Sequence, residues 1–181
     1  MAVYTTIDDS EAYFQVKLWT GTEVSNALTF DGDTDMQPDL IWSKNREDTR
    51  GQNVTDAVRG ISKWLGPHTT DAELTVAEGV TAIGSDGFTV GTSRDFNIDG
   101  ETMVAWCWKG NGSGSANTDG SINTTATSAN TTSGFSINTF TGSGSSATIG
   151  HGLGVVPKMI IVKARGQAST WAVYHASVAD G

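Results

Sequence analysis

The sequence predicts an all-β protein, an antiparallel β-sandwich with a short N-terminal arm and the start of a second β-module. Helices favour Ala, Leu, Glu, Lys and Arg, whereas this chain has 22 Gly, only 17% charged residues and much Ser, Thr and Asn. Apolar residues also alternate with polar ones in short runs that end at Gly or Asp-Gly turn signals. Both observations favour strands joined by many tight turns.

The first half of the chain contains a polar arm and the strands of one module. Residues 1–15 are a polar segment that ends in an apolar patch. From Val16 the hydrophobic period is two, with Val16 and Leu18 on one side of a strand and Trp19 on the other. The first module covers residues 16–110, and its further strands are predicted at 27–30, 39–44, 83–90 and 102–108.

Three segments of this module have particular signals. Residues 102–108 are apolar on both faces, which predicts a strand buried on both sides. Ser85-Asp86-Gly87 is the turn signal of a hairpin within 83–90. Residues 56–65 have apolar side chains at helical spacing but are interrupted by Gly60, which predicts a helix or a turn.

The composition changes after residue 110. Residues 111–133 are rich in Gly, Ser, Thr and Asn, which predicts a linker or an exposed hairpin with Asp119-Gly120 as its turn. Strand alternation resumes at Gly134, so residues 134–181 are predicted to be a second, incomplete β-module.

The second module repeats the first. Residues 157–165 resemble 38–46, an offset of 157 − 38 = 119, and residues 139–142 resemble 18–21. The second copy has only 181 − 173 = 8 residues after Val173, where the first copy continues into its predicted central strand. A copy without its central strand cannot close a core. We therefore expect that the chain is a fragment or that a neighbouring subunit completes the second module.

Charge and hydropathy exclude two kinds of partner. The net charge is −9 and no basic cluster is present, which argues against nucleic-acid binding. No segment is long and apolar enough to span a membrane, and the first residues lack the pattern of a signal peptide. We expect a protein made in a cytoplasm that works outside only as part of an assembly.

The tryptophans are divided between the predicted core and the predicted surface. Trp42, Trp106 and Trp108 lie in apolar runs, so we expect them to pack in the core. Trp19 and Trp171 are the better candidates for exposed or intersubunit contacts.

Residues capable of catalysis are scattered along the chain. Cys107, the only cysteine, excludes an intrachain disulfide and is predicted to be a buried small hydrophobe. Glycan hydrolysis needs two carboxylates roughly 5–9 Å apart in a cleft, whereas Asp and Glu fall mostly in predicted turns here. The sequence therefore predicts a protein that is not an enzyme and has no cofactor.

One acidic segment is a candidate metal site. Asp31, Asp33 and Asp35 alternate with small residues, an arrangement that Ca²⁺ favours. An EF-hand needs Glu at the twelfth loop position, which is Trp42 when counted from Asp31, so an EF-hand is excluded. A simple Ca²⁺-binding turn and a solvated acidic turn both remain open.

A series of motifs covers most of the chain, at 4–7, 17–21, 37–46, 56–60, 85–91, 104–109, 132–137, 150–154 and 157–163. Their order resembles a module that recurs in phage proteins, many of them from marine bacterial viruses. The segment 31–36 departs from that pattern, because relatives often have a plain Gly-containing turn there.

The resemblance implies a lectin-like or jelly-roll β-sandwich in a virion structural protein, with no catalytic residues to carry over. It favours the N-terminal part of a tail fibre that docks on the tail and projects distal host-binding domains. The candidate docking residues are Tyr4, Ile7, Tyr13 and Phe14.

The expected partners follow from that function. They are further copies of the chain in a homotrimer, tail or adaptor proteins, and host surface glycans bound by regions outside this chain. The expected location is the virion, assembled in the host cytoplasm. A head fibre, a capsid decoration protein and a carbohydrate-binding module within the fibre are the alternatives.

Overall fold

The computed structural model describes residues 7–178, and β-strands dominate this range. Its one helix, α1 (Arg94–Asn97), has four residues, so no helix in the described range could cross a membrane. The prediction of an all-β, sandwich-like fold is confirmed. The strands are β1 (Phe14–Thr20), β2 (Asn26–Leu28), β3 (Leu40–Asn45), β4 (Gln52–Asp56), β5 (Lys63–Trp64), β6 (Leu74–Thr75), β7 (Val80–Gly84), β8 (Gly87–Val90), β9 (Thr102–Trp108), β10 (Thr124–Asn130), β11 (Phe135–Phe140), β12 (Met159–Val162) and β13 (Ala172–His175).

Two antiparallel sheets enclose the core of the first unit, residues 14–108. The main sheet has the strand order β1-β9-β3-β4, and the cover sheet has the order β2-β8-β7. Strand β9 comes last in this unit but lies between β1 and β3. The prediction that residues 102–108 form a central strand is therefore confirmed.

Alternation along the main sheet sends every second side chain into the core. Trp19 from β1 meets Phe88 from the cover sheet edge-on, with ring centroids 5.9 Å apart at 83°. Full burial of a large apolar side chain stabilises the fold by about 1.5–3 kcal/mol. The cluster consists of Trp19, Leu28, Phe30, Met36, Ile41, Val80, Phe88, Val90, Phe96, Ile98, Met103, Ala105 and Cys107.

The predicted hairpin at Ser85-Asp86-Gly87 is confirmed as the β7–β8 turn. Gly87 has φ +115°, which side chains rarely adopt, and a Cβ there would lie 2.0 Å from the carbonyl oxygen of Leu28. This turn therefore requires glycine for its conformation and for the close approach of β2.

Residues 56–65 form turns and the short strand β5, so the helix alternative is wrong. The Asp56 carboxylate accepts hydrogen bonds from the backbone N–H groups of Val58 and Arg59. Gly60 then has φ +99°, outside the helical region. A local carboxylate turn thus replaces the first turn of a helix, although the apolar spacing is helical.

Two hairpins make up the second half. Strand β10 pairs with β11, and β12 pairs with β13. Residues 111–133 are therefore more than a linker, because they contribute β10. The hairpin turn lies at 131–134 rather than at Asp119-Gly120, since β10 pairs forward with β11.

Candidate interaction surface

The outer face of the main sheet is largely apolar, and part of it is open to solvent. Register places Val16, Trp106 and Trp42 side by side across three strands. The rows on either side continue the same face, and one of them ends at Lys44. We call this face the outer platform; its members are Phe14, Val16, Leu18, Leu40, Trp42, Val104, Trp106 and Trp108.

Several members of the outer platform are substantially exposed. The exposed fraction is 53% for Leu18, 44% for Val16 and 37% for Trp106. The prediction that Trp106 packs in the core is wrong, because the cover sheet packs only on the opposite face, where Met103, Ala105 and Cys107 point. Contiguous exposed apolar patches of this kind mark interaction sites.

The polar groups beside the outer platform are bound within the chain. The Trp42 indole N–H donates to the side-chain oxygen of Gln52 at 2.7 Å. The Lys44 ammonium donates to the carbonyl oxygens of Asn45 and Asp48. A ligand on this surface would therefore meet aliphatic and aromatic groups more than free polar ones.

Aromatic rings connect the outer platform to the second half of the chain. Trp108 contacts Phe14, with ring centroids 5.0 Å apart, and stacks on Phe135, with ring centroids 6.1 Å apart at an angle of 22°. Phe14 is the first residue of β1. It therefore belongs to the sheet, where it was predicted to be part of the docking arm.

A buried carboxylate fixes the chain where it leaves β9. Asp39 is 1% exposed, and its Oδ2 accepts hydrogen bonds from the backbone N–H groups of Gly110 and Gly112 at 2.9 and 3.1 Å. Its Oδ1 accepts from the side-chain amide of Gln37. Both oxygens are thus occupied in holding the turn, which gives Asp39 a structural role.

An ion-pair network joins the first unit to the β12–β13 hairpin. Arg59, whose side chain is 5% exposed, pairs with Asp56 at 2.6 Å and with Glu73 at 3.0 Å. Glu73 also binds Arg165 at 2.8 Å. Burial alone would raise the pKa of Glu73, but the hydrogen bonds and charges of Arg165 and Arg59 outweigh it and lower that pKa below its usual value.

The predicted docking residues are only partly described. Tyr4 lies outside the described residues, and Ile7 is half-buried at their start. Tyr13 is half-buried, and its backbone oxygen accepts a hydrogen bond from the backbone N–H of Lys109. Tyr13 is thus tied to the chain that follows β9.

The two tryptophans predicted to be exposed differ in their surroundings. Trp19 is 8% exposed and lies in the core, so its predicted surface role is wrong. Its side of β1 faces the cover sheet, while Val16 and Leu18 face solvent. Trp171 is half-buried, and its indole N–H donates to the backbone oxygens of Gly66 and Thr69 at 3.3 and 3.1 Å.

A shallow depression lies beside Trp171. It is open on one side and has a volume of about 500 Å³. Its lining residues are 67–71, Thr170 and Trp171.

The carboxylates of the acidic segment, Asp31, Asp33 and Asp35, do not converge on one site. Asp31 pairs with Lys17 at 2.6 Å, and the backbone N–H of Asp33 donates to Glu11. Asp35 is exposed. Within residues 7–178 no three His, Cys, Asp or Glu side chains are grouped closely enough to hold a metal ion.

Cys107 lies in the core, as predicted. Burial raises the pKa of its thiol far above the usual range, so the nucleophilic thiolate is strongly disfavoured.

Comparison with known proteins gives one family. A family model described as a domain of unknown function, DUF7483, matches residues 9–181. The chain belongs to the DUF7483 family. No curated protein matches it, and no solved structure matches it.

In this DUF7483 chain, the sequence patterns did not reveal two features of the surface. Alternation identified both faces of β1 but not which face is outside, because both carry apolar side chains. The pairing of Glu73 with Arg165 had no sequence signal, since 92 positions separate them.

Proposed function

We propose that the chain is a non-catalytic structural module of a phage fibre, and that copies associate through the outer platform into a homotrimer. The observation that carries this proposal is the outer platform itself, an apolar sheet face with Val16 and Leu18 about half exposed. Burying such a face against another copy would remove it from water. The phage origin rests on the resemblance of the motifs, and the family adds no activity.

A second copy is the partner that best fits the outer platform. The chain has a net charge of −9, so its copies repel one another except through uncharged surfaces. The eight members of the outer platform are all apolar, and the charged Lys44 in the same rows is bound to backbone oxygens within the chain. Symmetric homo-oligomers are also the commonest assemblies of soluble proteins.

The mass of the purified full chain tests this proposal. Light scattering after size exclusion should give three times the chain mass of 19.0 kDa. Leu18→Asp should give a folded monomer, because it places a charge in the buried interface. Val24→Asp is the matched control, since Val24 is 61% exposed but lies before β2, away from the outer platform. A wild-type chain that stays monomeric at high concentration contradicts the proposal.

The position on the particle is a further part of the proposal. A tail fibre places residues 1–20 against tail or adaptor proteins, whereas a head fibre or decoration protein places them against capsomers. Crosslinking from residues 1–20 in intact particles distinguishes these alternatives. Contact with neither class would contradict a virion role.

Glycan binding beside Trp171 is the second candidate. The depression is lined by an aromatic residue together with threonines, His68 and Asp71, so it offers an apolar ring beside polar groups that can orient a ligand. Titration with a glycan library should quench tryptophan fluorescence in the wild type and not in Asp71→Ala. Equal quenching in both proteins excludes this depression as the binding site.

A further inference from the structure

Strand β12 has one edge without a partner. It pairs with β13 on one side, and no strand of residues 7–178 lies along its other side. Its four residues, Met159 to Val162, are all apolar and 42–54% exposed. Natural edge strands are protected by charges, proline, bulges or covering loops. The β12–β13 ladder has no register shift, and β12 has no charge or proline, so it lacks three of these protections.

The first unit shows what lies at the equivalent edge. Strand β12 corresponds to β3 in the repeat, since 159 − 40 = 119, and both pair with the next strand of their unit. In the first unit β3 is a central strand, with β4 on one side and β9 on the other. Strand β12 has the two-sided apolar pattern of a central strand but has only one neighbour.

The other half of the repeat indicates the same missing neighbour. Strand β11 corresponds to β1, because Phe135 aligns with Phe14 at an offset of 121. In the first unit β9 separates β1 from β3 and pairs with both. Among the described residues, no strand pairs with both β11 and β12.

We propose that the free edge of β12 binds an extended segment of a partner polypeptide that has the pattern of β9. The segment adds as an antiparallel strand, in the mode known as β-augmentation. By the register of the first unit, its aromatic positions lie opposite Met159 and Ile161, as Trp108 and Trp106 lie opposite Leu40 and Trp42. Backbone hydrogen bonds fix the strand, and its side chains lie beside those of β12 on both faces of the sheet.

A second copy of this chain is a poorer occupant. Its own β9 is held in the core by Met103, Ala105 and Cys107, each 0% exposed, so it is not free to leave. Edge-to-edge pairing of two β12 strands would provide no aromatic side chains opposite Ile161. A partner segment and a second copy of the chain therefore give different experimental results.

A peptide with the sequence of residues 100–110, carrying Ser in place of Cys107, tests the proposal. The peptide is added to the full chain, and hydrogen exchange is followed by mass spectrometry. Protection of the amides of β12 is expected, with no new protection in β1 or β3. Absence of binding, or protection elsewhere, overturns the proposal. Protection of β12 that grows with protein concentration without peptide also overturns it, because a second copy then covers the edge.

Matched variants locate the contact. Ile161→Arg should weaken peptide binding at least about tenfold, because a charge then faces the incoming strand. Val155→Arg is the control, since Val155 is 66% exposed and lies outside β12, and its affinity should be unchanged. A peptide with Pro at the position of Trp106 should not bind, because in the first-unit register the N–H of that residue faces β3, the counterpart of β12. Equal binding of all these forms contradicts strand addition.

Discussion

The guanidinium group of Arg165 forms two hydrogen bonds to the carboxylate of Glu73, from Nε to Oε2 and from Nη2 to Oε1, both 2.8 Å. Ninety-two positions separate the two residues. The same carboxylate accepts a hydrogen bond from Arg59, which is also paired with Asp56. This network is one of the contacts that attach the β12–β13 hairpin to the first unit, together with Trp171.

We expect the two ends of the network to differ in their effect on stability. Arg165→Ala should cost about 0.2–1 kcal/mol, because its side chain is 42% exposed and solvent screens the pair. Glu73→Ala should cost about 1.5–3 kcal/mol, because the buried Arg59 loses one charged acceptor while it keeps its pair with Asp56. Urea unfolding followed by circular dichroism measures both values.

An exposed pair provides the control for these variants. Arg94→Ala breaks the pair with Glu23, in which the Arg94 side chain is 63% exposed, and should change stability by less than about 0.5 kcal/mol. If Glu73→Ala were no more destabilising than Arg94→Ala, the network would not contribute to the stability of the fold.

Stability should fall with decreasing pH in a window set by Glu73. Because the pKa of Glu73 is lower in the folded state than its ordinary value of 4.5, the unfolded chain takes up protons first as the pH falls. The contribution of Glu73 is therefore complete above pH 4.5 and is lost as the pH falls through the folded-state pKa. Thermal unfolding between pH 7 and pH 3 measures this decline. In Glu73→Gln the loss of stability with falling pH should be shallower. If the loss were as steep as in the wild type, other carboxylates would be its cause.

The buried carboxylate of Asp39 should be important for stability. Asp39→Asn removes the charge and leaves one fewer acceptor for Gly110, Gly112 and Gln37, so we expect a loss of about 1–3 kcal/mol. The control is Asp35→Asn on the exposed acidic segment, which should be nearly neutral. Urea midpoints compare the two variants, and similar midpoints would mean that Asp39 does not hold the turn.

Periodicity predicted most of the strands because one side of each strand meets the core. It identified β1, the β7–β8 hairpin and β9 without knowledge of their partners. It did not predict which face of β1 is buried, since Val16 and Leu18 on one face are as apolar as Trp19 on the other. The choice between these faces depends on the cover sheet, whose position no local pattern encodes.

The surface and its contacts were less predictable for a similar reason. Trp106 was predicted to be buried because residues 102–108 are apolar on both sides. Pairing with β1 and β3 satisfies both edges of β9, but the cover sheet packs against only one of its faces, and Trp106 lies on the other. Where long-range contacts decide the outcome, as for Glu73 and Arg165, the sequence held no spacing from which to infer them.

Gly87 should be the glycine of the β7–β8 turn that tolerates no side chain. Its φ of +115° alone costs a non-glycine residue about 1–3 kcal/mol. In addition, a Cβ would lie 2.0 Å from the Leu28 carbonyl oxygen, so β2 would have to move away from β8. We therefore expect Gly87→Ala to lower the melting temperature markedly and to expose amides of β2 and β8 to hydrogen exchange. Gly166→Ala is the matched control, because Gly166 has no atom near its Cβ position and no positive φ, and it should melt like the wild type. If Gly87→Ala had the same melting temperature as Gly166→Ala, the inference that β2 approaches this turn too closely for a side chain would be wrong.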